Sequence, residues 1–357
     1  MDLYGVLKPL FRFITPEQAH HLSIRVLKSG LVPDLSGGPD DPVLATRVWG
    51  LDFPNPVGLA AGFDKHCEVA DALFKFGFGF VEAGTVTPRP QPGNPLPRLF
   101  RLDEDEAVIN RFGFNSEGLA PFIFRLGQRR AGGKGGIVGA NVGKNKESED
   151  ALEDYGAGVS ATCRLADYLV CNISSPNTPG LRALQARTEM ETLLAHVIGV
   201  RNASMPDPAA RTPLLVKVAP DLDDAALADV AEASLSTGVD GIIMGNTTLS
   251  RPPSLQSKFK DETGGLSGKP LLTLSTERLG ALYRLVGGRL PIIGVGGIAS
   301  GADAYAKVRA GASLVQIYSA LVFHGPGLVA RIKTDLAARL KADGFSSIAD
   351  AVGVDVR

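Results

Sequence analysis

The chain has 357 residues, 44% of them hydrophobic, with 37 Lys and Arg against 38 Asp and Glu. A near-neutral chain without a charge block is a poor nucleic-acid binder, and its apolar fraction suffices for a large core. Cys67, Cys163 and Cys171 show no paired metal-ligand spacing and cannot all pair with one another, which fits a reducing compartment, and the histidines form no zinc motif.

The N-terminal segment differs from the rest. Leu3, Leu7, Leu10 and Ile14 recur at helical spacing, with Tyr4, Val6, Phe11 and Phe13 widening the apolar face. A second helix is announced by Thr15 as N-cap, Pro16 at the first helical position and Gln18 closing a capping box, and it ends before Gly30. Such a hairpin either packs on the main domain or lies on a membrane surface. No apolar run approaches the ~20 residues that span a bilayer, and neither a signal-peptide nor a transit-peptide pattern is seen. A Pro/Gly/Asp-rich stretch, residues 33–42, reads as a linker, so the expected division is 1–40 as a helical extension and 41–357 as the main domain.

Beyond the linker, short β-rich runs alternate with amphipathic helices, which predicts a parallel sheet with crossover helices. Eight candidate strands, residues 57–60, 80–82, 137–141, 168–173, 214–218, 241–244, 292–295 and 314–317, fit a (β/α)8 TIM barrel. An open doubly wound sheet is the alternative, but no Gly-x-Gly-x-x-Gly follows the first strand. Helices are expected over 68–76, 151–164, 224–237 and 302–310. A Pro-rich insertion, residues 88–115, is too long for a plain βα loop and predicts a hairpin over the barrel mouth.

In such a barrel the chemistry sits at the carboxyl ends of the strands, and here those ends are polar or glycine-rich. The first candidate strand runs into Ala61-Gly62-Phe63-Asp64-Lys65 and the third ends in Asn141. The fourth runs into Asn172-Ile-Ser-Ser-Pro-Asn177, the fifth carries Lys217, and the sixth precedes Asn246-Thr247-Thr248. Pro176 ends its strand and holds Ser175 extended; taken alone the string fits an ordinary Asx/Ser turn. Gly264 to Gly268, Gly294 to Gly297 and Tyr318-Ser319 follow the sixth, seventh and eighth strands, where barrels commonly place a phosphate. No carboxylate pair, Cys/His dyad or metal cluster stands out, so a cofactor must carry the reaction. A phosphate site with Lys217 in the mouth suits FMN; an aldolase with Lys217 as Schiff-base nucleophile is the competing reading.

With these residues assembled, the chain resembles the membrane-associated, quinone-reducing class 2 dihydroorotate dehydrogenases. The motifs that carry the likeness are Ala60-Ala-Gly-Phe-Asp-Lys65, Asn110-Arg-Phe-Gly-Phe114, Asn172-Ile-Ser-Ser-Pro-Asn-Thr178, Lys217-Val-Ala-Pro-Asp221, the stretch from Gly264 to Pro270, Gly294 to Ile298, and Gly311 to Ser319. The resemblance implies FMN held by Ala61, Gly62, Lys65, Thr85, Asn141, Asn172, Lys217, Gly245, Gly268, Gly297, Tyr318 and Ser319. It implies dihydroorotate bound by Lys65, Asn110, Arg111, Phe112, Gly113, Phe114, Asn172, Asn177, Asn246 and Thr247. Ser175 would take a proton from C5 while C6 gives a hydride to the flavin, yielding orotate; because serine without a histidine is a poor base, Thr178 and a water are relay candidates.

The implied class also makes the N-terminal hairpin a membrane-lying element that guides a quinone past His20, Arg101 and Tyr318. It places the enzyme peripherally on the cytoplasmic side of a bacterial inner membrane, in pyrimidine biosynthesis. Ser175 favours class 2, since the soluble class 1 enzymes carry cysteine there and lack the hairpin. Two positions depart from the pattern. Gly245 stands where the family usually has Thr or Ser, leaving only a backbone contact to the flavin. Cys67 stands where it usually has Gly, either as a tolerated change at a helix start or as a reactive thiol near Lys65.

Overall fold

A computed structural model describes residues 14–356, so the expected first helix lies outside the described residues. The second forms as α1 (Pro16–Lys28), and its capping box closes as the sequence requires: the Thr15 hydroxyl accepts from the Gln18 amide and the Gln18 side chain accepts from Thr15 N–H. A short antiparallel hairpin, β1 (Thr46–Val48) and β2 (Leu51–Phe53), precedes the first barrel strand, β3 (Val57–Leu59). The chain continues through α2 (Ala70–Phe74), β4 (Phe80–Val86), β5 (Leu99–Leu102), β6 (Ala107–Asn110), α3 (Leu119–Ala131), β7 (Ile137–Val142), α4 (Ala151–Thr162) and β8 (Tyr168–Asn172). The second half comprises α5 (Arg187–Ser204), β9 (Leu214–Val218), α6 (Asp224–Thr237), β10 (Gly241–Met244), β11 (Gly265–Gly268), α7 (Leu272–Val286), β12 (Ile292–Val295), α8 (Gly301–Arg309), β13 (Leu314–Ile317), α9 (Ala320–His324) and α10 (Leu328–Ala342).

Strands β3, β4, β7, β8, β9, β10, β12 and β13 close in that order into a parallel barrel, the expected (β/α)8 fold. Two local expectations needed revision. The helix expected over 68–76 starts only at Ala70, because the Asp64 carboxylate accepts from the amides of Glu68 and Val69 at 2.7 and 2.9 Å and commits the intervening residues to a turn. The hairpin expected over the mouth is one part of a three-stranded antiparallel sheet, β11-β6-β5, whose third strand comes from the glycine-rich stretch after β10.

Inside the barrel, Phe80, Tyr168, Val170, Leu215, Ile243, Ile293 and Leu314 are fully buried. The β1–β2 hairpin plugs the end opposite the site: Phe53 packs edge-on to Phe80 at 5.4 Å, and Trp49 donates its indole N–H to the Asp240 carbonyl at 2.7 Å. Two of the inward rings fill space that neighbouring strands leave open. A Cβ on Gly58 would stand 2.2 Å from the Phe80 ring, and one on Gly139 would stand 2.1 Å from the Tyr168 ring.

Since the barrel interior is close-packed, Gly139→Ala has no room to relax and should destabilise the chain by about 1–3 kcal/mol or more. A urea melt with an unchanged midpoint would show that Tyr168 has a second place to go.

Candidate functional site

At the carboxyl end of the barrel the polar residues interlock around one buried carboxylate, Glu82 on β4. One of its oxygens accepts from the Asn141 amide at 2.7 Å, the other from the Gln316 amide at 2.7 Å and the Tyr168 hydroxyl at 3.2 Å. The Asn141 carbonyl oxygen must then face outward, where it accepts from the Thr85 hydroxyl at 2.6 Å and the Asn172 amide at 3.2 Å. The Asn172 carbonyl oxygen accepts from the Ser174 hydroxyl at 2.8 Å, and Ser174 accepts from the Asn246 amide at 2.7 Å. Strands β4, β7, β8 and β13 and the turn after β10 are thereby joined in one hydrogen-bond network.

Next to this chain of amides, the Ser175 hydroxyl is buried and accepts from the Asn177 backbone amide at 3.3 Å, which leaves its own proton free to move. Thr178 Oγ1 and Thr247 Oγ1 are buried and have no hydrogen-bond partner among the described residues. Asn177 donates to the Asn110 carbonyl at 3.1 Å, tying the turn after β8 to the insertion. Lys65 reaches the same space, with its ammonium 2.9 Å from Asn115 Oδ1 and 3.6 Å from the centre of the Phe112 ring. Burial pulls the Lys65 ammonium down to about 7, with Glu17 opposing and Arg98 adding to the fall. Lys217 is buried without an ion-pair partner among the described residues; burial lowers its pKa too, against the pull of Glu82.

Across the cavity lie the backbone turns expected to take a phosphate. Gly268 and Gly297 have φ of +99° and +79°, and a Cβ on either would stand 2.4 Å from neighbouring backbone, so both turns require glycine. Among the described residues the amides of Gly297 and Ser319 donate to no backbone carbonyl. The Ser319 and Ser267 hydroxyls lie 2.7 Å apart beside them. Unspent amides beside a pair of hydroxyls fit a phosphate, and the band of Asn and Thr side chains on the other wall fits the polar edge of a planar ring, so the residues present suit a flavin mononucleotide.

These walls belong to one cavity of about 960 Å³ that continues to α1, where Ala19, His20, Leu22, Ser23, Val26 and Leu27 line it. Tyr318, Phe63 and His20 stand edge to face in sequence, at 5.8 and 5.3 Å between ring centres. Burial, and after it Lys65, His21 and His66, depresses His20 to about 3, so its imidazole is neutral. Arg101 lines the same passage with its guanidinium 3.3 Å from Asp103. No helix among the described residues is long and apolar enough to cross a membrane.

Of the residues singled out in the sequence, Ala61, Gly62, Lys65, Thr85, Asn172, Lys217, Gly268, Gly297, Tyr318 and Ser319 line the cavity. So do Asn110, Phe112, Gly113, Phe114, Ser175, Asn177, Asn246, Thr247, His20 and Arg101. Three stand behind the wall. Asn141 is enclosed between Glu82 and Thr85. Arg111 turns away to Glu262 at 2.8 Å and lies over the Phe100 ring. Gly245 is buried with the Val295 carbonyl 2.4 Å from where a Cβ would be, so no side chain could act from this backbone position. Cys67 sits in the turn before α2 in a left-handed conformation, φ 56°, which explains why glycine is at home there; its thiol is buried and pushed up to about 12, which removes the reactive-thiol reading.

Sequence reasoning missed Glu82, Gln316 and Arg182. Arg182 joins three loops at once, donating to the Ser174 and Thr247 carbonyls, each at 2.9 Å, and to Asp221 at 2.7 Å. A lone acid inside a strand run was the available signal for Glu82; nothing local marked Arg182.

Residues 43–340 match the family described as dihydroorotate dehydrogenase. The chain is 97% identical over its full length, and the full length of the relative, to a protein of Xanthobacter autotrophicus named dihydroorotate dehydrogenase (quinone). It is 52% identical to the mitochondrial mouse protein of that name, covering 99% of this chain and 90% of that one. A solved ligand-free structure from Eimeria tenella superposes with a TM-score of 0.92 at 43% identity, covering 96% of this chain and all of that one.

A carboxylate ligand beside Lys65 would raise its pKa again, so the lysine's contribution to binding is full below about pH 7 and is lost as pH rises through the ligand-bound value. Calorimetry with a small cyclic carboxylate should show affinity falling between about pH 7 and about pH 9, and a weak, flat profile for Lys65→Met. A flat wild-type profile would place the carboxylate elsewhere.

Proposed function

The chain belongs to the quinone-dependent dihydroorotate dehydrogenases, flavoenzymes of pyrimidine biosynthesis, and we propose that FMN occupies this cavity between the glycine turns and the asparagine wall. It oxidises dihydroorotate to orotate with a quinone as electron acceptor. What carries the site assignment is the convergence on one cavity of the Ser175 hydroxyl, the amides of Asn172, Asn177 and Asn246, and the glycine cradle at Gly268 and Gly297. Family membership sets aside the lysine-imine aldolase that the sequence left open.

FMN, when bound, would supply the hydride acceptor and the route for electrons to the quinone. The protein's own residues do the rest. Lys65 takes the substrate carboxylate, exchanging its cation–π contact with Phe112 for an ion pair. The asparagine amides, each donor and acceptor, match a cyclic ureide; the directions of Asn172 and Asn246 are already fixed through Glu82 and that of Asn177 through Asn110. Ser175 receives the C5 proton, and Thr178 Oγ1, buried and without a partner among the described residues, is the candidate relay. Lys217 supplies positive charge where a flavin gains negative charge.

On the other side, α1 offers the quinone an apolar approach to Tyr318 past His20 and Phe63. Leu22 and Val26 on α1 and Leu31 after it are exposed, at 43%, 52% and 87%, which suits a face laid on lipid. Residues 1–30 carry only Lys8, Arg12, Arg25 and Lys28 as cations, and Lys28 is paired with Glu68 at 2.6 Å, so binding should rest on apolar area more than on cationic attraction, and salt should release it poorly. This reading places the enzyme peripherally at the cytoplasmic face of a bacterial inner membrane.

The purified protein should be yellow, and dihydroorotate should bleach it without oxygen; a colourless protein that no flavin reconstitutes would sink the assignment. Ser175→Ala should keep the colour and slow bleaching by about 10²- to 10⁴-fold, the usual worth of a general base. Stopped-flow reduction within about threefold of wild type would move the base role to another residue.

Deleting residues 1–30 should abolish vesicle binding and collapse turnover with a long-chain quinone, while saturating dihydroorotate still reduces the flavin. A folded, yellow truncation that reduces long-chain quinone at the full-length rate would make the hairpin a packing element only.

A further inference from the structure

Lys307 on α8 is fully buried, and its ammonium meets a single hydrogen-bond partner among the described residues, the Ser275 hydroxyl on α7. Ser275 lies 3.0 Å from the Gly296 carbonyl and 3.1 Å from the Leu272 carbonyl, so its one proton goes to one of them. Gly296 and Gly297 form the turn after β12. That turn is pressed onto the start of α7: a Cβ on Gly297 would stand 2.4 Å from Leu272 N, and one on Gly296 would stand 2.9 Å from Ser275 Oγ. The Lys307 stem passes beneath β12, where its Cδ would lie 3.3 Å from a Cβ on Gly294. The lysine and the serine are the floor of the glycine turn.

The packing alone gives this cation no purpose. A buried ammonium on one neutral hydroxyl is costly, and an apolar side chain of the same length would sit there more comfortably. Lys333, buried elsewhere, is matched with the Asp40 carboxylate at 2.5 Å. Around Lys307, α7 presents Ser275 and β12 presents Gly294. The one carboxylate it feels is Asp303, a turn earlier on α8, which accepts from the Ala299 amide at 3.0 Å.

We infer that Lys307 is a positioning residue for the cofactor's phosphate, acting through Ser275 on the Gly296–Gly297 turn and placing a positive charge behind it. This rests on the FMN reading above. Burial draws the amine down to about 7, and a phosphate dianion in front of the turn would draw a proton back. The contribution to FMN binding is therefore full below about pH 7 and is lost as pH rises through the bound-state value. A flavin without phosphate gains nothing from it.

The test strips flavin from the full-length protein and titrates it with FMN and with riboflavin by fluorescence quenching. Lys307→Met should weaken FMN by about tenfold or more near pH 7, with riboflavin changed less than about twofold, and the wild-type preference for FMN should shrink toward about pH 9 while that of the variant stays flat. Ser275→Ala, which leaves the lysine in place but cuts its link to the turn, should give a smaller loss that is again confined to FMN. Equal losses for both flavins would make Lys307 a structural lysine, as would an unchanged FMN-to-riboflavin ratio in the folded variant. Should Lys307→Met fail to fold, Ser275→Ala and the wild-type pH profile decide on the same criteria. A wild-type protein that binds both flavins alike would instead take down the phosphate cradle, and this inference with it.

Discussion

A carboxylate can only accept hydrogen bonds, and that limitation organises the mouth of this barrel. Glu82 has no exposed surface, and its two oxygens receive Asn141, Gln316 and Tyr168. An amide that must give its N–H to Glu82 must turn its oxygen the other way, which settles Asn141, then Asn172, then Ser174 and Asn246 in turn. A neutral acid or an amide at position 82 could both donate and accept, and the chain would have two directions of similar energy. Buried networks stabilise a site when every member is satisfied and disorder it when one is not. Of the oxygens bonded around Glu82, Gln316 Oε1 has no partner among the described residues, and it is buried at a residue that lines the cavity.

The N-terminal helix is tied into this arrangement more closely than its position in the chain suggests. Glu17 on α1 forms a two-pronged pair with Arg98 of the insertion, and both charges act on Lys65. His20 stands against Phe63, which stands against Tyr318. The same helix thus lines the cavity through His20 and, through Glu17, acts on the charge of Lys65.

Much of this was legible in the sequence because barrel strands are short apolar runs with polar ends, and those runs are local patterns. The strands β9, β10, β12 and β13 fall where expected, and the Thr15 capping box forms because its partners are three residues apart. The expected helix over 68–76 was shortened by Asp64, whose turn competes with the first helical hydrogen bonds. What stayed hidden depends on partners distant in sequence. The Gly264–Gly268 stretch reads as a flexible loop, yet Gly265 pairs with Asn110 in β6. Arg182 gathers loops after β8, β9 and β10, and Glu82 reaches Gln316 from the far side of the barrel seam. Resemblance named the cavity residues; only the packing shows that Arg111 points outward and that Asn141 works from behind.

The buried lysines of the molecule are unequally matched. Lys333, buried at the periphery, has its carboxylate in Asp40, as a buried cation should. Lys65, Lys217 and Lys307 have no such contact among the described residues, and burial lowers all three. Glu82 is felt by Lys217 alone of these three, so the mouth is short of negative charge at separate places: beside Phe112, at the end of β9, and beneath the turn after β12. A carboxylate, a ring that gains charge on reduction and a phosphate would satisfy these places in that order. On the reading proposed above, dihydroorotate would meet the first and FMN the other two, so that substrate and cofactor together would balance the buried lysines.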